Sequence, residues 1–152
     1  MIAVRRVWVL LVAGLGVAAA AGAQTADRAY PIFTPEHLDA TMKTLGPNVA
    51  GVRAAIRAGD TTLAKERAIR SREQLATTIT FWRDRGRDDA VRTLRDTLRA
   101  LDTLDTALSE TPTDMATVDA ADESVGNGCT ACHAIYRQGE NGDFRLNEAA
   151  LR

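Results

Sequence analysis

Hydrophobic residues in this chain recur with the spacing of helices rather than strands. In four stretches they return every three or four residues, and no stretch alternates between hydrophobic and polar positions as a half-buried strand does. Each stretch therefore has one hydrophobic face that must be buried against a neighbour. The pattern predicts an all-α fold.

The first predicted helix has clear signals at both ends. Thr34 can cap it, Pro35 suits the first helical position, and Gly59 ends it. Pro47 lies inside the run and predicts a kink near Leu45, because an interior proline removes one backbone hydrogen bond. The hydrophobic face comprises Leu38, Met42, Leu45, Val49, Val52 and Ile56.

Three further helices follow. The second is predicted from a cap at Asp60 to about residue 83, and the third over residues 88–109. The fourth follows residues 111–113, with Asp114 in its first turn. Gly126 and Gly128 interrupt the fourth, and two explanations stay open: a frayed or bent helix, or room for a large planar group against the backbone. Residues 138–152 show little periodicity and are predicted to form a loose tail.

The first 23 residues have the features of a secretory signal peptide. Arg5 and Arg6 precede an uncharged hydrophobic stretch, and residues 21–23 are small, as signal peptidase requires. An uncleaved membrane anchor is the alternative, since about 16 hydrophobic residues approach the minimum needed to span a bilayer. Cleavage after Ala23 would leave one four-helix domain over residues 24–137 and the tail.

The net charge of the chain indicates which classes of partner it can bind. The whole chain has a net charge of −1, and the signal peptide contains two of its 19 basic residues and none of its 20 acidic ones. The mature chain is therefore weakly acidic, which argues against binding to nucleic acid.

Both cysteines of the chain lie in one short motif, Cys129-Thr130-Ala131-Cys132-His133. The spacing C-x-x-C-H is the attachment signature of c-type haem. On a helix, thiols three residues apart face the same side and can form thioethers to the two vinyl groups of one porphyrin edge. His133 then offers a ring nitrogen to the iron.

Three other interpretations use the same residues. A dithiol oxidoreductase would place C-x-x-C beside a βαβ pattern, which this sequence lacks. A zinc site would need a fourth ligand, from His37 or a carboxylate. A disulfide between Cys129 and Cys132 suits an exported protein but leaves His133 without a role.

The longer run from Cys129 to Arg137, C-x-x-C-H-x-x-Y-R near the C-terminus, resembles class II c-type cytochromes, the cytochrome c-prime superfamily. The resemblance implies an antiparallel up-down-up-down four-helix bundle with one covalent haem c among the helices near one end. It also implies that Arg137 lies near the haem and modulates its electrostatics. A cation that stabilises a helix C-terminus is an equally good account of Arg137.

Met42 is the candidate for the second axial ligand of the iron. In an antiparallel bundle the start of the first helix lies level with the end of the fourth, so Met42 comes opposite His133. The run from Thr41 to Gly46 is also similar to the first helix of low-spin members of the family, whose matching methionine binds iron. Core packing by Met42 and ligation by His37 stay open.

Two aromatic side chains are candidates for the haem pocket. Tyr136 could pack on the porphyrin or in an ordinary core, and Trp82 could seal a haem edge or plug the bundle end. No set of general acid, base or nucleophile is visible, so an enzyme is not expected.

The sequence as a whole predicts a periplasmic monohaem cytochrome that passes single electrons to redox partner proteins, with His133 proximal and Met42 distal. A five-coordinate cytochrome that binds nitric oxide or carbon monoxide is the alternative, and a haem-bearing subunit of a larger complex is a third option. A membrane is involved only if the N-terminal segment is uncleaved, and a homodimer is left open.

Overall fold

A computed structural model describes residues 31–152, which form a helical bundle; the predicted signal peptide and its anchor alternative lie outside the described residues. The all-α prediction is confirmed. No helix in the described part of the chain is long and apolar enough to cross a membrane. The elements are α1 (Pro35–Arg57), α2 (Thr61–Thr77), the short α3 (Ile79–Arg83), α4 (Asp88–Ser109) and α5 (Met115–Tyr136).

The helices begin where local side chains satisfy their first N–H groups. Thr34, Asp60 and Asp114 each accept a hydrogen bond from a backbone N–H two or three residues later, which caps α1, α2 and α5. The caps at Thr34 and Asp60 are those that the sequence predicts, whereas Asp114 precedes α5 instead of lying in its first turn. The α1 helix runs through Pro47. It ends just before Gly59, whose φ of +73° is a conformation that favours glycine.

The second predicted helix differs from the structure, because it is broken at Thr78 into α2 and α3. The carbonyl of Thr77 accepts a hydrogen bond from the backbone N–H of Ile32 at 3.0 Å. In return, the hydroxyl of Thr80 donates to the carbonyl of Ile32 at 2.9 Å. The chain leading into α1 therefore pairs with the helix at the break, a contact that helical periodicity does not reveal.

Neighbouring helices pack in the order α1, α2, α4, α5. The α1 and α5 helices run antiparallel, because the start of α1 shares a cluster with the end of α5. Among the described helices, this α1–α5 pair lacks the extensive close backbone approach of the other neighbours. The bundle is thus tightly packed on three sides and looser on the fourth.

The core consists of two clusters with different compositions. At one end lies a cluster that we call the alanine-rich cluster: Val52, Ala55, Ala64, Ala68, Leu104, Ala107, Leu108, Val118 and Ala121. The other end holds what we call the aromatic cluster: Ile32, Leu38, Phe81, Trp82, Ala90, Val91, Leu94 and Tyr136. The candidate site residues are at this second end.

Residues 138–152 are folded onto the bundle, in contrast to the loose tail that the sequence predicts. Strands β1 (Arg137–Gln138) and β2 (Arg145–Leu146) pair antiparallel, and a 3₁₀ helix spans Glu148–Leu151. Leu146, Ala150 and Leu151 pack against the aromatic cluster. This segment lacks helical periodicity because only a few of its side chains reach the core.

The two glycines of α5 also have an explanation that differs from the sequence-based ones. The α5 helix is continuous, and a methyl group on Gly128 would overlap the Thr97 hydroxyl on α4 and lie 3.1 Å from its Cβ. At Gly126 it would overlap the guanidinium end of Arg53. Side chains of neighbouring helices, Thr97 and Arg53, occupy the space that these glycines leave.

These contacts predict different costs for alanine at the two positions. Gly128→Ala should lower the free energy of unfolding by about 1 to 3 kcal/mol, because the added methyl group would overlap the hydroxyl of Thr97, which is buried. Gly126→Ala should cost less, since the end of an arginine side chain can swing away. Urea denaturation measures both, with exposed Asn127→Ala as the control. Equal costs at both glycines would contradict the close approach of α4 and α5.

Candidate functional site

The predicted attachment residues lie on the last turns of α5. Cys129, Cys132 and His133 are all half-buried, and both cysteines are free thiols in the structure. Cys129 and Cys132 are one helical turn apart and share a face, as the sequence predicts. Cys132 packs against the aromatic cluster. The motif therefore borders the core while keeping one side accessible.

Burial shapes the ionisation of these groups. It raises the pKa of the Cys132 thiol to about 11, and the neighbouring Cys129 and Asp89 add to the effect. Burial also raises the pKa of the Cys129 thiol. It lowers the pKa of His133, with a further contribution from the positive charge of Arg137. The thiols are therefore protonated near neutral pH, and the imidazole is neutral with an electron pair available for a ligand bond.

Met42 lies at the same end of the bundle as the motif. Its side chain is partly buried and packs against the aromatic cluster, as does that of Cys132. The ion pair between Arg53 Nε and Asp122 Oδ2, at 3.0 Å, connects α1 to α5 and marks corresponding levels of the two helices.

This ion pair allows the positions of Met42 and His133 along the bundle to be compared. Met42 precedes Arg53 by about as many residues as His133 follows Asp122, about 16 Å along each antiparallel helix at 1.5 Å per residue. Met42 and His133 are consequently level. The structure thus brings Met42 and Cys132 to one cluster. His37 is exposed; its backbone N–H donates to the hydroxyl of Thr34, and its carbonyl accepts from the hydroxyl of Thr41.

Trp82 and Tyr136 are in direct contact. Their ring centroids are 4.7 Å apart, and both side chains are almost fully buried. The hydroxyl of Tyr136 donates to Asp89 Oδ2 at 2.6 Å and accepts from Arg87 Nε at 3.3 Å. Tyr136 therefore forms part of the core and ties the end of α5 to the start of α4.

Arg137 is the residue that ends α5. Its guanidinium lies over the ring of Phe144 at 4.2 Å from the centroid, and its side chain is otherwise exposed. The cation thus stands at the helix C-terminus, where it is favourable, and also holds the segment that follows. Its charge reaches His133, as the lowered pKa of that imidazole indicates.

Sequence reasoning missed the polar residues that hold this end together. Arg87 and Asp89 both contact Tyr136, and Asn147 donates from its side chain to the carbonyl of Ile135 at 3.1 Å. In the sequence, the three residues Arg85-Gly86-Arg87 predict only a turn between helices. No local signal reveals which distant carbonyls or hydroxyls its arginines reach.

The donor set fits covalent haem better than a metal bound by side chains alone. In the described part of the chain, no group of three or more His, Cys, Asp and Glu side chains could hold a metal ion. A covalent haem needs two thiols on one helix face, an adjacent imidazole and nonpolar surroundings. Cys129, Cys132 and His133, beside the aromatic cluster and the looser α1–α5 side, meet these needs.

Comparisons with protein-family models, with curated proteins and with solved structures gave no match for this chain. The resemblance to class II c-type cytochromes rests on the motif from Cys129 to Arg137, and haem attachment stays a prediction.

The contact between Tyr136 and Asp89 predicts a pH-dependent cost of Tyr136→Phe. Because the Tyr136 hydrogen bond lowers the pKa of Asp89, the contact stabilises the fold above the ordinary aspartate pKa of 3.8, and this contribution is lost as the pH falls through the lowered value. Tyr136→Phe should cost about 1 to 2 kcal/mol at neutral pH and less in acid.

Urea denaturation at neutral pH and below pH 3.8 measures this difference. Asp88→Asn is the control for the loss of a nearby carboxylate, because Asp88 is exposed and precedes Asp89 in the first turn of α4. A cost of Tyr136→Phe that is the same at both pH values would contradict an ionised Asp89 as the partner.

Proposed function

We propose that this protein is a monohaem c-type cytochrome of the class II type that carries single electrons. The observation that carries the proposal is the juxtaposition at one end of the bundle: two thiols and an imidazole on the last turns of α5, Met42 of α1 level with that imidazole, and the aromatic cluster between the helices. No other group of described residues combines these chemistries.

Each residue of the proposed site has a distinct role. Cys129 and Cys132 form the two thioether bonds, and the helix holds their sulfur atoms on one face. His133 binds the iron through a ring nitrogen, which its lowered pKa leaves unprotonated at neutral pH. Met42 offers its thioether sulfur from the opposite helix.

The surrounding residues would adapt the site to electron transfer. Bound haem supplies a one-electron iron couple. Trp82 and Tyr136 exclude water from one side, which favours the less charged state of a buried centre. Arg137, through its positive charge near His133, would act in the same direction. Because Cys129 and Cys132 are only half-buried, one edge of the site lies close to the surface, where a redox partner could approach.

The cellular setting follows from the same proposal. Haem attachment to C-x-x-C-H and the predicted signal peptide over residues 1–23 both suit the periplasm, with a redox protein as the partner. We assign no enzymatic reaction to the chain.

Covalent attachment predicts a specific mass. Protein produced in a host able to attach haem should have the mass of the chain from Gln24 plus one haem, and the denatured band should retain haem peroxidase staining. The variant Cys129→Ser with Cys132→Ser should lose both signals. Recovery of the native chain as haem-free protein with an intact disulfide would overturn the proposal.

Ligation by Met42 predicts the effect of Met42→Leu. Leucine has a similar volume, so the loss of packing should cost less than about 1.5 kcal/mol while the sulfur ligand disappears. The ferric spectrum should change from low to high spin, the near-infrared sulfur-to-iron band should vanish, and carbon monoxide should bind readily to the reduced protein.

Met115→Leu is the matched control, because Met115 is exposed on α5. If the native protein is already high-spin, or if Met42→Leu leaves the spectrum unchanged, Met42 is a core residue only. The five-coordinate, gas-binding function then replaces electron transfer as the better proposal.

A further inference from the structure

The chain after α5 lies against the same end of the bundle as the proposed site. Leu146, Ala150 and Leu151 of this segment pack on the aromatic cluster, against which Cys132 and Met42 also pack. A groove of about 510 Å³ separates the segment from the first turns of α1. Residues 138–152 therefore cover part of this end, and we call them the strap.

The strap is attached to the end of α5 by a side chain and by the backbone. The N–H of Asn147 donates to the carbonyl of Tyr136 at 2.8 Å, and its side-chain amide donates to the carbonyl of Ile135 at 3.1 Å. The last carbonyls of a helix have no partner within the helix. Asn147 satisfies two of them, only two to three residues after His133.

A second attachment comes from Arg87, at the start of α4. One guanidinium nitrogen donates to the carbonyl of Ala150, another donates to that of Arg152 at 3.3 Å, and Nε donates to the hydroxyl of Tyr136 at 3.3 Å. The planar guanidinium, with several N–H donors in fixed directions, suits this three-way contact, and a lysine ammonium does not reproduce it.

The turn that contains Arg87 also contains Arg85, and the two arginines contact different terminal segments. Gly86 between them has a φ of +63°, a conformation that favours glycine. Arg85 donates to the carbonyl of Phe33, before α1, while Arg87 reaches the strap. One turn thus holds the segments that precede and follow the helices.

We propose that Arg87 is a positioning residue that fastens the strap over the aromatic cluster and so restricts the access of small ligands and water to the site around Cys132 and His133. This inference rests on the proposed haem function for its second half only. The attachment of the strap by Arg87 concerns protein contacts and can be tested whether or not haem is bound.

The first measurement is amide hydrogen exchange of the mature protein as purified, followed by peptide mass spectrometry. Arg87→Gln should speed exchange in the peptide that contains Asn147 and Ala150 by about tenfold or more, since hydrogen bonds from a charged group are lost. Arg87→Lys should restore this protection only in part. Arg92→Gln, which changes an exposed arginine of α4, is the matched control. Unchanged exchange in Arg87→Gln would overturn the attachment.

The second measurement is the rate at which carbon monoxide binds to the reduced, haem-loaded protein. Arg87→Gln and Asn147→Ala, which opens the other attachment, should both raise this rate by about threefold or more if the strap restricts access. Far-UV circular dichroism checks that the helices remain. Faster exchange with an unchanged binding rate would overturn the restriction of access, whereas a native protein without haem would overturn the proposed function and leave the exchange result standing.

Discussion

The hydroxyl of Tyr136 is the polar group on which the arrangement of this end depends. The Tyr136 side chain is buried in the aromatic cluster, and its hydroxyl is hydrogen-bonded by Asp89, in the first turn of α4, and by Arg87, just before α4. The ring packs on Trp82. With these contacts the last turn of α5 has one favourable rotation about its axis.

That rotation decides where the candidate ligands point. Cys132 precedes Tyr136 by one turn and shares its face, so it contacts the same aromatic cluster. Cys129 lies a further turn back on this face. Close packing of Gly128 against Thr97 of α4 allows no large rotation in the middle of the helix. The geometry of the motif is therefore a consequence of α4 and α5 packing together, and the proposed haem would be attached to a helix that is already positioned.

The two ends of the bundle differ in a way that suits this role. The alanine-rich cluster lets helix backbones approach closely, which gives rigidity but leaves no space between them. At the other end, large side chains and the looser α1–α5 side separate the helices, and the segments before α1 and after α5 are drawn over the cluster by Arg85 and Arg87. The proposed haem site is at the second end, where the two cysteines and His133 border the aromatic cluster.

Much of this protein was determined by the sequence itself, because helical periodicity and capping are local. The α4 and α5 helices span the residues that periodicity predicts, and Thr34, Asp60 and Asp114 act as caps because the groups that they satisfy lie within three residues. The spacing of Cys129 and Cys132 likewise settles that they share a face of α5 once that segment is helical.

Tertiary structure alone decided the features that depend on distant partners. Ile32 pairs with the helix at the break at Thr78, and Arg87 and Asn147 make hydrogen bonds that connect residues 138–152 to the bundle. The need for glycine at position 128 is explained only by the contact with Thr97 of α4. Each is a contact between residues far apart in the chain, made by a single hydrogen bond or a few atoms, and such contacts leave no periodic pattern in a sequence.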